Sequence, residues 1–176
     1  MSYTPGRQAT HCAYCGARFQ TTSWPRDCPS CQETTWANPI PVSVTLLPVT
    51  DTGGSTKLVV VRRSISPGFG RWALPGGYIE LGETWQQAAV RELWEESRIV
   101  ADAADVRLFD VDQAVTTVQI FALLPARPLG ELPRSEATEE AFGWDLLDGP
   151  TELAFPTHTT AVGEFFRREQ PPPGLR

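Results

Sequence analysis

Gly76-Gly77-Tyr78-Ile79-Glu80-Leu81-Gly82-Glu83-Thr84-Trp85-Gln86-Gln87-Ala88-Ala89-Val90-Arg91-Glu92-Leu93-Trp94-Glu95-Glu96-Ser97-Arg98-Ile99 is the stretch that decides the fold. Its first third is a glycine-rich loop. The remainder reads as a helix from about Thr84 to Ser97, with Thr84 as the N-cap and Ala88, Ala89 and Leu93 as the apolar stripe. Trp85 and Trp94 are expected to extend that stripe by packing rather than to stack on a ligand. Glu92, Glu95 and Glu96 stand at i, i+3 and i+4, which brings three carboxylates onto one face of one turn. Like charges at that density repel unless a cation sits among them, and hard oxygen ligands select Mg²⁺ or Mn²⁺. Arg91, whose fork can hold a carboxylate bidentately, reads as an orienting residue.

Outward from this stretch, Trp72-Ala73-Leu74-Pro75-Gly76-Gly77 leads into the loop, and two strand-like runs precede it. These are Val42 to Val49 and Lys57 to Arg63, separated by the turn signal Asp51-Thr-Gly-Gly54. Three consecutive valines, Val59 to Val61, indicate a strand covered on both faces. Residues 106 to 125 read as two more strands. Glu136-Ala-Thr-Glu139-Glu140 is an acidic loop before another strand, solvated or part of the site. A closing helix is expected from Thr159 to Arg168, with His158 as an exposed residue at its start. Phe155 either stacks on a base or packs in the core.

All four cysteines lie between positions 12 and 31, as Cys12-x-x-Cys15 and Cys28-x-x-Cys31. Two such pairs fit a tetrahedral structural Zn²⁺ site with no open position for catalysis. Two disulfides are the alternative, disfavoured in a reducing compartment. Gly16 suits a turn needing positive φ, and His11 reads as a solvated neighbour. Trp36-Ala-Asn-Pro39-Ile-Pro41 looks like a junction between domains.

The 176 residues are 41% hydrophobic and carry a net charge of −6. That suffices for one medium domain with a small appendage. It argues against broad binding of nucleic acid through phosphates, leaving capped RNA as the one nucleic-acid partner in view. The first residues include no apolar signal segment, and no run reaches membrane-spanning length. The expectation is a cytoplasmic protein.

The loop and helix resemble the signature box of the Nudix hydrolases: Gly77, Glu83, Arg91, Glu92, Leu93, Glu95, Glu96 and Ile99 all fall in register with it. Arg98 departs, standing where the family has glycine. The resemblance implies an α+β fold, an α/β/α sandwich with a mixed sheet at residues 37–170, after a zinc ribbon at 1–36 and before a disordered tail at 171–176. It implies metal ligation by Glu92, Glu95, Glu96 and the Gly76 carbonyl, with Glu140 as a late ligand or base. Glu95 and Glu140 remain alternatives for that base, and Glu83 is a supporting residue. The implied reaction is hydrolysis of a nucleoside diphosphate linked to a second moiety. Zinc-ribbon members act on ADP-ribose, FAD or NADH. The NADH group carries a Ser-Gln-Pro-Trp-Pro-Phe-Pro-type run after the box, and this chain has Asp110-Val-Asp-Gln-Ala-Val-Thr-Thr there. ADP-ribose or FAD is therefore favoured over NADH and RNA de-capping. A non-catalytic nucleotide sensor is the competing class, and a homodimer is the family tendency.

Overall fold

The computed structural model describes residues 10–169. The expectation of a loose segment over residues 1–10 lies outside the described residues except for the exposed Thr10, and that of a disordered tail (171–176) lies wholly outside them. The chain divides into two units, Met1–Ile40 and Pro41–Arg176.

In the first unit, β1 (Arg26–Asp27) pairs antiparallel with β2 (Thr34–Thr35). Two turns of like construction hold the cysteines. The Gly16 N–H donates to the Cys12 carbonyl (3.0 Å), and the Gln32 N–H donates to the Cys28 carbonyl (2.9 Å). Both turning residues are left-handed, Gly16 at φ 75° and Gln32 at φ 65°. Glycine adopts that conformation freely and glutamine under strain. The buried apolar cluster is small, Cys12, Phe19 and Cys28 with Ala17 against it.

The second unit holds two sheets. Its strands are β3 (Ile40–Leu46), β4 (Pro48–Thr50), β5 (Thr56–Arg63), β6 (Trp72–Ala73) and β7 (Gly76–Tyr78). Helix α1 (Trp85–Ser97) follows, then β8 (Arg107–Gln113), β9 (Thr117–Leu123), β10 (Arg127–Pro128) and β11 (Ala141–Leu147), and helix α2 (Pro156–Glu169) closes the unit. One sheet runs β7-β3-β9-β8. The other runs β10-β4-β5-β11, with β6 also on β5. It is mixed, since β10 lies parallel to β4 while β5 is antiparallel to its neighbours. The chain passes from one sheet to the other at Leu47, which splits the single strand expected from Val42 to Val49.

Strand alternation assigns the core. Leu58 and Val60 join Val44, Leu46, Phe121 and the α2 residues Val162, Phe165 and Phe166. Val59 joins Leu47, Val49, Ala122 and the α1 residues Ala89 and Leu93. The two helices thus cover opposite sides, and the valine run is buried throughout, at 0–1% exposure. Each such side chain contributes about 1.5–3 kcal/mol relative to exposure. No helix of the described residues is long and apolar enough to cross a membrane.

Helix α2 begins three residues before the expected Thr159. Pro156 occupies its first turn, where a proline loses no hydrogen bond. His158 therefore turns inward. It is 4% exposed rather than solvent-facing, and its Nδ1 accepts a hydrogen bond from the Leu74 N–H (3.2 Å). Burial, aided by the Arg63 charge, lowers its pKa to about 3.

Candidate active site

Helix α1 is started by a capping box. Thr84 Oγ1 accepts from the Gln87 N–H (3.2 Å) and Gln87 Oε1 accepts from the Thr84 N–H (2.7 Å). The helix is seated on β3 by two buried hydroxyls: Ser43 Oγ donates to the Trp85 carbonyl (2.9 Å) and Thr45 Oγ1 to the Ala89 carbonyl (3.0 Å). With that face fixed, Glu92, Glu95 and Glu96 project together.

The glycine loop passes close beneath them. A Cβ on Gly76 would lie 2.5 Å from the Ser43 carbonyl oxygen, and one on Gly77 would lie 2.6 Å from Glu92 Oε2. Neither position admits a side chain without moving backbone or carboxylate. The Gly76 N–H donates to Glu96 Oε2 (3.0 Å), which ties loop to helix.

Arg91 organises the carboxylates. It donates to Glu83 from Nη2 (2.7 Å) and Nε (3.1 Å), to Glu92 Oε1 from Nη1 (2.7 Å), to Glu95 Oε2 from Nη1 (3.2 Å), and to the Tyr78 carbonyl (2.9 Å). Glu83 also accepts from the Glu80 N–H (2.8 Å). Hydrogen bonding to Arg91 holds the Glu83 carboxyl below its usual range, and hydrogen bonding to Glu83 lifts Arg91 still higher.

Glu96 is 3% exposed. Burial, opposed by the Gly76 N–H and reinforced by the Glu92 charge, pushes its pKa up to about 8. Burial also raises Glu92, against the Arg91 hydrogen bond. The charge of Glu140 adds to both shifts, so the late loop reaches this site. Glu92, Glu95, Glu96, Glu139 and Glu140, with Trp94 and Arg98, line one cavity of about 420 Å³. Glu136 is exposed and is not among the lining residues. Five carboxylates line one cavity, two of them driven toward protonation, and supply hard oxygen donors of the kind a divalent cation takes.

A family model described as "NUDIX domain" matches residues 39–168. This chain belongs to the NUDIX domain family. An ADP-ribose pyrophosphatase of Methanocaldococcus jannaschii is 31% identical over 115 residues, 63% of this chain and 66% of that protein. An NAD-capped RNA hydrolase NudC of Haemophilus influenzae is 28% identical over 159 residues, 90% of this chain and 52% of that protein. The chain thus spans about half to two thirds of the length of these relatives. The crystal structure of a NUDIX hydrolase from Nitrosomonas europaea superposes with a TM-score of 0.69 over 91% of this chain and 92% of that one, at 22% identity. It shares the fold.

Three features of this NUDIX site differ from or add to the sequence reading. Trp94 does not extend the apolar stripe. It is 46% exposed and lines the cavity, because it lies one position beyond Leu93 on the turn that faces solvent. Trp85 does pack, against the cluster around Leu93. Arg63 is buried beside the site, with Nε donating to the Pro67 carbonyl (2.7 Å) and its guanidinium 5.2 Å from the half-buried Phe155 ring. No local pattern marked it, since it ends an apolar strand. Arg98 takes the left-handed conformation that a glycine would take there (φ 62°, ψ 12°), and its N–H donates to the Trp94 carbonyl (2.8 Å). That backbone costs about 1 kcal/mol for a non-glycine residue. The Arg98 guanidinium over the Trp94 ring, 4.6 Å from its centroid, returns about 0.5–1 kcal/mol.

In the first unit all four cysteines are free thiols, with Sγ atoms within 4.8 Å of one another. Cys12 and Cys31 are 3.8 Å apart, Cys15 and Cys28 3.5 Å. A tetrahedron with ~2.3 Å bonds has edges of ~3.8 Å, so the cluster is compatible with zinc. The Cys31 N–H, aimed at Cys28, lowers that thiol to about 6 against the effect of its burial. The Cys15 N–H lowers Cys12 in the same way. Both shifts favour the thiolates a metal needs, whereas, against the Glu33 N–H, burial and the neighbouring cysteines push the Cys31 thiol up to about 12. His11 is exposed, its Nδ1 held by Thr10 Oγ1 (2.9 Å).

Proposed function

We propose that this protein is a divalent-metal-dependent hydrolase of the pyrophosphate bond in a nucleoside diphosphate linked to a second moiety. ADP-ribose or FAD is the favoured substrate. The observation that carries this reading is that Glu92, Glu95 and Glu96 line one cavity wall, the first two held by the Arg91 fork and the third by the Gly76 N–H. The similarity to a protein named ADP-ribose pyrophosphatase supports the first substrate.

Glu92, Glu95, Glu96, Glu140 and the Gly76 carbonyl would hold Mg²⁺ or Mn²⁺, which when bound neutralises phosphate oxygens and acidifies water. Arg91 holds Glu92 and Glu95 in place, and the Gly76 N–H holds Glu96. Glu95 or Glu140, both exposed to the cavity, accepts the proton of the attacking water. The water oxygen bonds to phosphorus, and the anhydride P–O bond breaks with its electron pair leaving on the other phosphate. The products are a nucleoside monophosphate and a phosphorylated second moiety. Cys12, Cys15, Cys28 and Cys31 would hold structural Zn²⁺ in a ribbon ahead of this domain in sequence.

A second reading, hydrolysis of NAD-type dinucleotides or of RNA capped with them, is favoured by the NudC similarity across 90% of the chain. A panel of ADP-ribose, FAD, NADH and NAD-capped RNA, assayed with Mg²⁺ and Mn²⁺, separates the two. Glu95→Gln and Glu96→Gln serve as controls. Turnover untouched by both changes would sink the site assignment. Elemental analysis finding no metal in the reduced, folded protein would remove the ribbon.

A further inference from the structure

We propose that Arg98 is a phosphate-contact residue of this site and that Trp94 is its positioning residue. The subsite takes a phosphate oxygen of the nucleoside diphosphate substrate. The inference rests on the hydrolase reading for its substrate class, and on the cavity for its geometry.

The cavity wall contains five carboxylates, one indole and one guanidinium. A diphosphate entering it meets repulsion from each carboxylate not occupied by a cation, and Arg98 is the single lining residue of opposite sign. Among the described residues the Arg98 guanidinium takes part in no salt bridge. The contrast with Arg91 is direct: that fork is used up on Glu83, Glu92, Glu95 and Tyr78. Arg98 instead lies over the Trp94 ring. An aromatic face holds a guanidinium without consuming its in-plane N–H donors, which remain available in the fork that matches phosphate.

Chain direction explains why the residue can reach. Glu95 and Glu96 belong to the last turn of α1, and Arg98 caps that turn. Trp94 and Arg98 are four positions apart, so the indole supports the arginine from the same side of the helix end. A glycine at position 98 would leave the helix stop intact and remove the one cation among the described residues that line the cavity.

The test uses the full chain with Mn²⁺ and has two arms. In the kinetic arm, ADP-ribose turnover is measured for the wild type, Arg98→Gly, Arg98→Lys, Trp94→Phe and Trp94→Leu. Arg98→Gly is expected to raise KM about tenfold with kcat within about threefold. Arg98→Lys, a charge without the fork, falls between. Trp94→Phe stays near wild type, and Trp94→Leu follows Arg98→Gly. Arg98→Gly relieves left-handed strain, so its melting temperature is expected to equal or exceed that of the wild type, which rules out misfolding as the cause. A fall in kcat at unchanged KM assigns Arg98 to aiming the carboxylates and overturns the proposal.

The second arm is independent of turnover. Calorimetric binding of adenosine 5′-(α,β-methylene)diphosphate with Mn²⁺ is expected to weaken about tenfold in Arg98→Gly. Equal affinity in the two proteins, or no binding to either, overturns the subsite. A wild type that binds this analogue with the stated loss in Arg98→Gly, yet hydrolyses nothing in the panel, sinks the hydrolase reading and leaves the subsite standing.

Discussion

Cys12, Cys15, Cys28 and Cys31 come from two tight turns that share little apolar cover beyond Phe19 and Ala17. Glu92, Glu95 and Glu96 ride on one helix whose other face is packed between Leu47, Val59 and Ala122. The difference lies in what fixes each set of ligands. In the first unit, short hydrogen-bonded turns bring the thiols together and there is almost no core to hold the turns, so a bound metal would be part of the fold. In the second, the sheets and the Arg91 fork place the carboxylates, so the fold does not need a metal, and a metal bound there would serve chemistry. Chelation should therefore separate the two centres.

The largest expected effect follows from this. In Cys28→Ser, residues 10–40 lose hydrogen-exchange protection outright, while β5 and α1 exchange at the wild-type rate. Mass-resolved exchange reads both regions in one experiment. Accelerated exchange in β5 or α1 would break the comparison, because the second unit would then also depend on the thiol cluster.

Next in size is Glu96→Gln. Turnover is expected to fall about 10³-fold, within the range for loss of a positioned acid–base or ligand group. The melting temperature should hold or rise, because a buried carboxyl no longer has to ionise. The same residue gives a pH test. Its folded pKa of about 8 lies above the ordinary carboxylate value of 4.5. The protonated form is thus favoured in the fold, a contribution full below 4.5 and lost as pH climbs through 8. A cation must displace that proton, so Mn²⁺ affinity should strengthen between pH 6 and 8 by up to about tenfold per unit and then level off. Titration calorimetry across that window checks it, and a flat profile in the wild type would show that Glu96 binds no cation.

His158 sharpens the account from the opposite side of the fold. Its folded pKa of about 3 lies below the ordinary 6.5. Its contribution to stability is present above 6.5 and lost as pH falls toward 3, and amounts to at most about 5 kcal/mol. Asparagine keeps an acceptor for the Leu74 N–H and cannot titrate. The stability gap between wild type and His158→Asn should therefore narrow below pH 6 in urea unfolding. A constant gap down to pH 4 would mean that the imidazole is not buried as a neutral acceptor.

The sequence made the carboxylate turn and the two cysteine pairs legible because each is local chemistry. Their ligands lie within one helix or one knuckle, at spacings the backbone fixes. Arg91 and Glu83 were readable for the same reason. His158 was not: its partner Leu74 is 84 positions away, and the proline that starts α2 was the one local sign of its inward turn. Trp94 misled because apolar composition suggested the stripe, while the helical phase set by Leu93 placed the ring on the cavity side. Gln32 repeats the left-handed turn of Gly16, yet glutamine carries no signal for that conformation. Arg63 sits in an apolar strand, and only the folded chain shows that its charge reaches Glu96.

The smallest effect tests the claim that packing, not metal, positions the carboxylates. Thr84 and Gln87 close the start of α1 by reciprocal hydrogen bonds, about three turns before Glu95. Thr84→Ala removes one acceptor and should cost about 1 kcal/mol, a fall of about 3 °C in melting temperature. The Ser43 and Thr45 hydroxyls still bind the Trp85 and Ala89 carbonyls, so the helix stays seated and its last turn does not move. KM, kcat and Mn²⁺ affinity are accordingly expected to stay within about twofold of wild type. If the loss in stability comes instead with a tenfold loss in Mn²⁺ affinity, the helix start is coupled to the ligand turn, and the carboxylates are less firmly placed by the sheet than their geometry indicates.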